Sequence, residues 1–208
     1  NLSNLHQKIV TQEMSDKPFE PIIVKNVLNQ NEMNKILQTV KFIRSETIGE
    51  NNNIHNTNKR DSLTGWYDNK DLITRLVKSV APDKTYEHCE KLQVVKYNPG
   101  GFFVPHFDST NDPYNNYTPD FKYGGHRIYT LLISITDPND YEGGYTEFPN
   151  IQKKYKLNKG DGLLFRNIDK NNNLLFESKH GGQPVTAGTK YVCNLWIHVD
   201  RYNFDSDR

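Results

Sequence analysis

The sequence predicts a mainly β domain with flanking helices (α+β), and three observations carry that expectation. Aromatic residues make up 12% of the 208-residue chain, with 12 Tyr and 10 Phe, a mix that fills sheet cores better than helix bundles. From residue 91 onward, short aromatic and β-branched runs alternate with Gly- and Asn-rich turns, the spacing of a sandwich or barrel. Before residue 91, two segments switch to helical periodicity, so helices are expected outside the sheets.

Residues 21–24 read as a short strand. Residues 29–40 place Met33, Ile36, Leu37 and Val40 on one helical face. Residues 71–80 repeat the pattern with Leu72, Leu76, Val77 and Val80, and Pro82 ends it. Strands at 92–97 and 102–108 flank the turn Asn98-Pro99-Gly100-Gly101. A polar segment, 109–126, ends in Gly124-Gly125, and further strands follow at 127–135, 145–148, 154–157, 162–166 and 190–199. Asn runs at 51–53 and 171–173 read as exposed loops. The length suits one domain, with residues 1–90 as a support region and 91–200 as the catalytic β core.

A formal net charge of +1, with no run of five basic residues, gives no long-range pull on nucleic acid or anionic membranes. No stretch has the length of a membrane helix, and the start lacks a signal-peptide pattern. Because the chain begins at Asn1, a trimmed fragment is expected; cytoplasm and, with a leader removed, endoplasmic reticulum lumen both stay open. A monomer is expected. Cys89 and Cys193 sit in apolar company and read as buried free thiols, with a single bridge as the alternative.

Three pairs offer an imidazole and a carboxylate two residues apart: His106-Phe107-Asp108, His198-Val199-Asp200 and His88-Cys89-Glu90. In a strand, either pair member faces the same side, so each pair could chelate. Iron(II) in an oxygenase takes two imidazoles and one carboxylate, leaving positions open for other ligands. His180 can complete the first pair from a distant strand; no histidine follows His198. Alone, His106 is as well read as a satisfied structural histidine, since two-residue patterns carry little information.

A keto acid with two carboxylates also needs a fixed cation for its far end. Lys190, ten positions after His180 at the head of the last strand, fits if it is buried, because a buried lysine requires an anion. The commoner fate is an exposed lysine. Tyr97 and Thr130 could add hydroxyl donors to that carboxylate, or serve as a ring at a strand end and a β-branched filler.

In order along the chain stand Leu92-Gln93-Val94-Val95-Lys96-Tyr97, Pro105-His106-Phe107-Asp108, Arg127-Ile128-Tyr129-Thr130-Leu131, Glu142-Gly143-Gly144-Tyr145-Thr146-Glu147-Phe148-Pro149, Lys159-Gly160-Asp161-Gly162-Leu163-Leu164-Phe165 and His180-Gly181-Gly182-Gln183-Pro184-Val185, running on through Gly188-Thr189-Lys190 to Trp196-Ile197. This set resembles the prolyl 4-hydroxylase family of 2-oxoglutarate dioxygenases over about half the chain. Arg60-Asp61-Ser62 followed by Trp66 resembles the family's segment before the catalytic strands.

The resemblance implies a double-stranded β-helix, a jelly-roll-like fold with the site in its open mouth. It implies iron(II) on His106, Asp108 and His180, which are also the catalytic residues. It implies 2-oxoglutarate on Lys190, Tyr97 and Thr130, with Trp196 walling the pocket or lying in the core. The implied reaction is hydroxylation of peptidyl proline in proline-rich or collagen-like sequences, using O2 and L-ascorbate and releasing succinate and CO2. Lysyl hydroxylation, prolyl hydroxylation of a folded protein, and an inactive peptide-binding module are the alternatives; lysyl-type relatives tend to carry arginine where Lys190 stands.

Phe103, Arg127, Trp66 and Tyr129 are candidate substrate residues. Phe102, Phe103, Phe107 and Trp196 suit water exclusion. Tyr114, Tyr117, Phe121, Tyr123 and Tyr129 could line a groove for an extended proline-rich peptide, or pack on one another. Residues 137–143 and the Trp66 segment could close over a peptide, with Gly143-Gly144 as hinge or turn. Three departures bear on substrate choice: Phe103 where many members carry Tyr, Gly181-Gly182-Gln183 after the distal histidine, and the 109–125 loop.

Overall fold

Helix α1, Gln30–Thr39, starts where Asn29 caps it: the Asn29 side chain accepts from the Glu32 amide while Glu32 returns a bond to the Asn29 amide, satisfying two orphan donors. Helix α2, Lys70–Val80, is capped by Asn69 and buries Leu72, Ile73, Leu76, Val77 and Val80. A computed structural model of the chain describes residues 18–46, 58–111 and 124–202. Both helices therefore fall where the apolar periodicity places them.

The described strands, in chain order, are β1 Ile22–Val24, β2 Ile43–Arg44, β3 Arg60–Asp61, β4 Leu63–Tyr67, β5 Leu92–Tyr97, β6 Phe102–His106, β7 Arg127–Ser134, β8 Tyr141–Gly143, β9 Thr146–Phe148, β10 Lys153–Tyr155, β11 Gly162–Arg166, β12 His180–Gly182, β13 Val185–Gly188 and β14 Lys190–His198. A major sheet runs β1-β11-β7-β14-β5-β4-β2, and a minor one runs β10-β9-β12-β6-β3. Every pairing in both sheets is antiparallel, and β13 pairs with β8 as a separate ribbon. Two sheets of short antiparallel strands, with helices outside, fit the sandwich or barrel that the strand spacing predicts and make the double-stranded β-helix that the family resemblance implies.

Alternation along β14 divides the molecule. Cys193, Leu195 and Ile197 point to a core shared with α1 and α2, which holds Met33, Ile36, Leu76, Val77, Val94, Leu131 and Ile133. Val192 points the other way, into a second core between the sheets with Val95, Tyr97, Leu132, Phe148, Leu163 and Phe165. The helices thus cover the outer face of the major sheet and leave its inner face for the cleft. Cys89 and Cys193 are both free and buried; burial pushes the Cys193 thiol up to about 12, so both are inert fillers.

The front third does more than support. It donates β1, β2 and β4 to the major sheet and β3 to the minor one. Gly65 on β4 passes so near Lys41 that an added Cβ would lie 2.7 Å from the Lys41 carbonyl oxygen, which is why a strand residue here lacks a side chain.

Candidate active site

The mouth between the two sheets is a cleft of about 520 Å³ lined by residues of both. Strand β6 delivers His106, and β12 lies antiparallel beside it with His180 opposite His106. Asp108 follows β6 and is buried. One ligand atom from each of His106, Asp108 and His180 lies within 4.8 Å of the others, a spacing one ion could bridge. The shortest approaches are 3.4 Å from His106 Nε2 to Asp108 Oδ1 and 3.5 Å from His180 Nε2 to Asp108 Oδ2.

Both rings are oriented from behind. His106 Nδ1 lies 2.9 Å from the Val104 carbonyl oxygen, and His180 Nδ1 lies 2.9 Å from that of Ser178. Each Nδ1 therefore holds the proton and donates, leaving Nε2 with its lone pair toward the centre. Burial lowers the His180 pKa despite Asp108, which favours a neutral ligand. Burial alone would raise Asp108, but positive charge beside it, from His180 and His106 when protonated and from Arg127, holds its carboxyl well below the usual carboxylate range; a bound divalent metal would take over the imidazoles' share. Two neutral imidazoles and one carboxylate on one side of a cleft fit iron(II) with positions left open.

Thr130 is fully buried on β7, and its hydroxyl donates to Asp108 Oδ2 at 2.8 Å. Trp196 Nε1 donates to the same oxygen at 3.0 Å. Thr130 was expected beside the keto acid; its hydroxyl proton goes to the Asp108 carboxylate, and Thr130 is not among the residues lining the cleft. Trp196 does wall the cleft, and its polar edge serves Asp108 as well. Behind Thr130, Asn167 Nδ2 donates to the threonine oxygen at 2.9 Å.

Lys190 stands opposite Tyr97 in the β14–β5 register, and both line the cleft. Its side chain is buried, and Nζ donates to the Gly144 carbonyl at 2.6 Å. Gly143 and Gly144 have φ of +67° and +62°, so this pair is a turn that aims that carbonyl. Burial, with a smaller push from Lys156, lowers the Lys190 pKa to about 8. A buried ammonium held by one carbonyl is a seat for an anion.

The candidate substrate residues divide. Phe103 stacks on the His106 ring at 3.7 Å, and Trp66 is 49% exposed at the rim, its ring centroid 6.4 Å from that of Trp196. Arg127 lines the cleft over the Trp196 ring at 3.7 Å. Tyr129 does not reach the cleft; it is buried in the core under the helices. Phe107 lines the cleft with Phe103 and Trp196, whereas Phe102 is not among its lining residues. Tyr114, Tyr117, Phe121 and Tyr123 lie outside the described residues.

Sequence reasoning missed the buried Arg127–Glu90–His198 network beside this site. The β14–β7 register slips between Ile197 and His198, so that His198 faces Arg127 rather than Ile128. This bulge turns Arg127 into the cleft, where plain alternation would put it with Tyr129. Arg127 grips Glu90 through two bonds of 2.6 and 2.9 Å, and His198 Nε2 lies 2.8 Å from the same carboxylate. The rival pairs His88/Glu90 and His198/Asp200 thus split up, giving Glu90 and His198 to one buried ion network. A cross-strand row, Trp66–Gln93–Asn194–Leu132, lines the cleft beside it.

Comparison with known proteins places this geometry. Residues 92–198 match the family model of the 2OG-Fe(II) oxygenase superfamily. A protein of Acanthamoeba polyphaga mimivirus named for prolyl 4-hydroxylase is 30% identical over 90% of this chain and 78% of its own length. Prolyl 4-hydroxylase 5 of Arabidopsis thaliana is 28% identical over 88% of this chain and 70% of its own. Among solved structures, the viral collagen prolyl hydroxylase of Paramecium Bursaria Chlorella virus-1 in its 2OG complex shares the fold, with TM-score 0.62, 23% identity and coverage of 88% of this chain and 96% of that one. The chain belongs to the prolyl 4-hydroxylase family of the 2OG-Fe(II) oxygenase superfamily.

Proposed function

We propose that this chain is an iron(II)- and 2-oxoglutarate-dependent dioxygenase that hydroxylates proline in a peptide, in proline-rich or collagen-like sequence. The observation that carries the reading is a buried, anion-seeking Lys190 in the same cleft as a convergent His106/Asp108/His180 set. The names of the relatives support proline as the target. A prolyl hydroxylase of Trichoplax adhaerens with TM-score 0.61 and 18% identity, covering 95% of this chain and 90% of its own, holds a peptide fragment of hypoxia inducible factor, which favours a peptide in the cleft.

Iron(II), 2-oxoglutarate and O2 would supply the oxidising chemistry, splitting the keto acid to succinate and CO2 and leaving one oxygen atom on the substrate. The protein's part is placement. His106, Asp108 and His180 hold the metal, with Thr130 and Trp196 fixing the carboxylate. Lys190 receives the far carboxylate of 2-oxoglutarate, with the Tyr97 hydroxyl beside it. Phe103, Phe107 and Trp196 keep water from the reacting region, and Trp66 offers an exposed ring to a polyproline-like backbone. L-ascorbate enters as the reductant that keeps iron in the divalent state.

Incubation with iron(II), ascorbate, 2-oxoglutarate and a Pro-Pro-Gly repeat peptide should add 16 Da (~, one oxygen) to proline, read by mass spectrometry, with one succinate per event. Oxygen gained on a lysine-containing collagen-like peptide alone would move the activity to lysine. No succinate with any peptide, and no absorption change when 2-oxoglutarate meets the iron-loaded protein without air, would leave a binding module in place of an enzyme.

A further inference from the structure

Lys190 and the His106/Asp108/His180 set answer the charges of a metal and a dicarboxylic keto acid, yet the cleft holds another buried cation. Arg60 opens β3, is 8% exposed and lines the cleft. Its Nε donates to Ser62 Oγ at 2.7 Å and its Nη2 to Thr64 Oγ1 at 3.2 Å. Ser45 Oγ bridges those hydroxyls at 2.7 and 2.6 Å. The guanidinium lies 4.5 Å over the Phe103 ring, which in turn stacks on His106. Two hydroxyls, themselves tied by Ser45, and a ring thus hold it in place. A guanidinium has five N–H donors and no acceptor, so most of its donor capacity is left toward the cleft.

Among the described residues no carboxylate stands within ion-pair distance of Arg60. Arg127, by contrast, is matched by Glu90. Burial disfavours the charged form of Arg60, and Tyr97 and Asp108 act to restore it. Asp108 is a metal ligand in the reading above, so its charge is shared with a divalent ion once the site fills. A buried charge without a partner is costly; a cation kept in a cleft with no acid beside it among the described residues suits an anion brought by a ligand.

Its position suggests where that anion lies. Thr64, which holds Arg60, is in register with Val95, and Val95 with Val192. That row falls between the Tyr97–Lys190 pair and the Trp66–Gln93–Asn194 row, so the Thr64 anchor of Arg60 stands alongside the middle of the cleft, with Tyr97 near enough to act on the Arg60 charge. We propose that Arg60 is a second carboxylate seat in this cleft, separate from Lys190. The proposal rests on the 2-oxoglutarate reading. The carboxylate would come either from the near end of the keto acid or from an acidic side chain flanking the target residue of the peptide.

Two arms separate these sources in Arg60→Gln and Arg60→Lys, each first compared with the parent by thermal unfolding. In the first, iron-loaded protein is titrated with 2-oxoglutarate without air and followed by absorption. A dissociation constant raised about tenfold in Arg60→Gln, and partly restored in Arg60→Lys, assigns the seat to the cosubstrate. In the second, KM is measured for a proline peptide carrying Glu beside the target and for its Gln counterpart. A preference of the parent for Glu, abolished in Arg60→Gln with the 2-oxoglutarate constant unchanged, assigns the seat to the substrate. Folded variants that match the parent in both arms overturn the proposal. Should Arg60→Gln fail to fold, Arg60→Lys and the parent's Glu/Gln preference read the same arms, and parental values in both overturn it equally. A parent protein that gives no absorption change with 2-oxoglutarate refutes the keto acid reading itself, a result distinct from a band that Arg60 does not influence.

Discussion

The Thr130 hydroxyl donates to Asp108 Oδ2 at 2.8 Å, and with Trp196 it places two donors on a single oxygen of the candidate metal-binding carboxylate. That arrangement fixes the carboxylate plane and leaves Oδ1, the atom nearer His106, unencumbered. Replacing Thr130 with Val keeps the shape but removes the donor, and Asn167 Nδ2 loses its acceptor with it. Thr130→Val should weaken divalent metal binding by about tenfold, measured by chelator competition with cobalt(II) or iron(II), while Thr130→Ser restores it. Unchanged affinity would mean that Thr130 acts only as packing.

Lys190 sets a pH dependence. Its folded pKa is lowered to about 8 by burial, and only the ammonium form attracts a carboxylate. The affinity for 2-oxoglutarate should be flat below about pH 8 and fall as pH rises past it, by up to about tenfold per pH unit, until deprotonation of the complex sets in. In the protein without ligand the sign for stability reverses. The unfolded lysine binds its proton more tightly, so this group makes folding more favourable as pH rises from about 8 toward the unfolded value near 10.5. Lys190→Met should therefore stabilise the ligand-free protein, by about 1–2 kcal/mol in urea unfolding at pH 7. Lys190→Ala should leave metal binding intact and sharply raise the 2-oxoglutarate requirement; an unaltered requirement removes Lys190 from the site.

The two His-x-Asp pairs make opposite predictions. His180→Ala and His106→Ala each remove a ligand from the convergent set, so turnover should vanish and metal affinity drop sharply. His198→Ala should leave metal affinity at the parental value, because His198 Nε2 is spent on Glu90. Isothermal titration with a divalent metal decides; equal losses in all three variants would contradict the site drawn here.

Glu90 is a stability determinant. Burial alone would raise its pKa, but Arg127 and His198 hold it below the usual carboxylate range. Removing the carboxylate leaves a buried guanidinium uncompensated, so Glu90→Ala should cost about 3–5 kcal/mol in urea unfolding. Because the folded pKa is depressed, the contribution of Glu90 is complete above the unfolded value of 4.5 and declines as pH falls through the folded one. A double substitution, Glu90→Met with Arg127→Met, should recover much of the loss while still impairing activity.

Much of this protein is legible in the chain itself. The periodicity of α1 and α2 and the strands β5, β6, β7, β11 and β14 follow from local pattern and spacing, because side-chain direction in a helix or strand is fixed by the backbone; the candidates His106, Asp108, His180 and Lys190 stand out from rival readings only once the family resemblance is added to their spacing. The strands that escaped notice, β2, β3, β4, β8, β12 and β13, span two to five residues each. Segments this short carry little periodic signal and exist because a neighbour supplies their hydrogen bonds.

Tertiary structure alone decided the rest. Alternation says that Thr130 and Tyr129 face opposite ways, but not that Thr130 meets Asp108, 22 residues away, rather than the keto acid. Nor could it foresee the slip at Ile197/His198 that turns Arg127 inward and ties it to Glu90. Pairings of this kind depend on strand register and on a bulge, which the burial of both sheet faces sets jointly. The sequence by itself determined which groups could do the chemistry; long-range packing determined which of them meet.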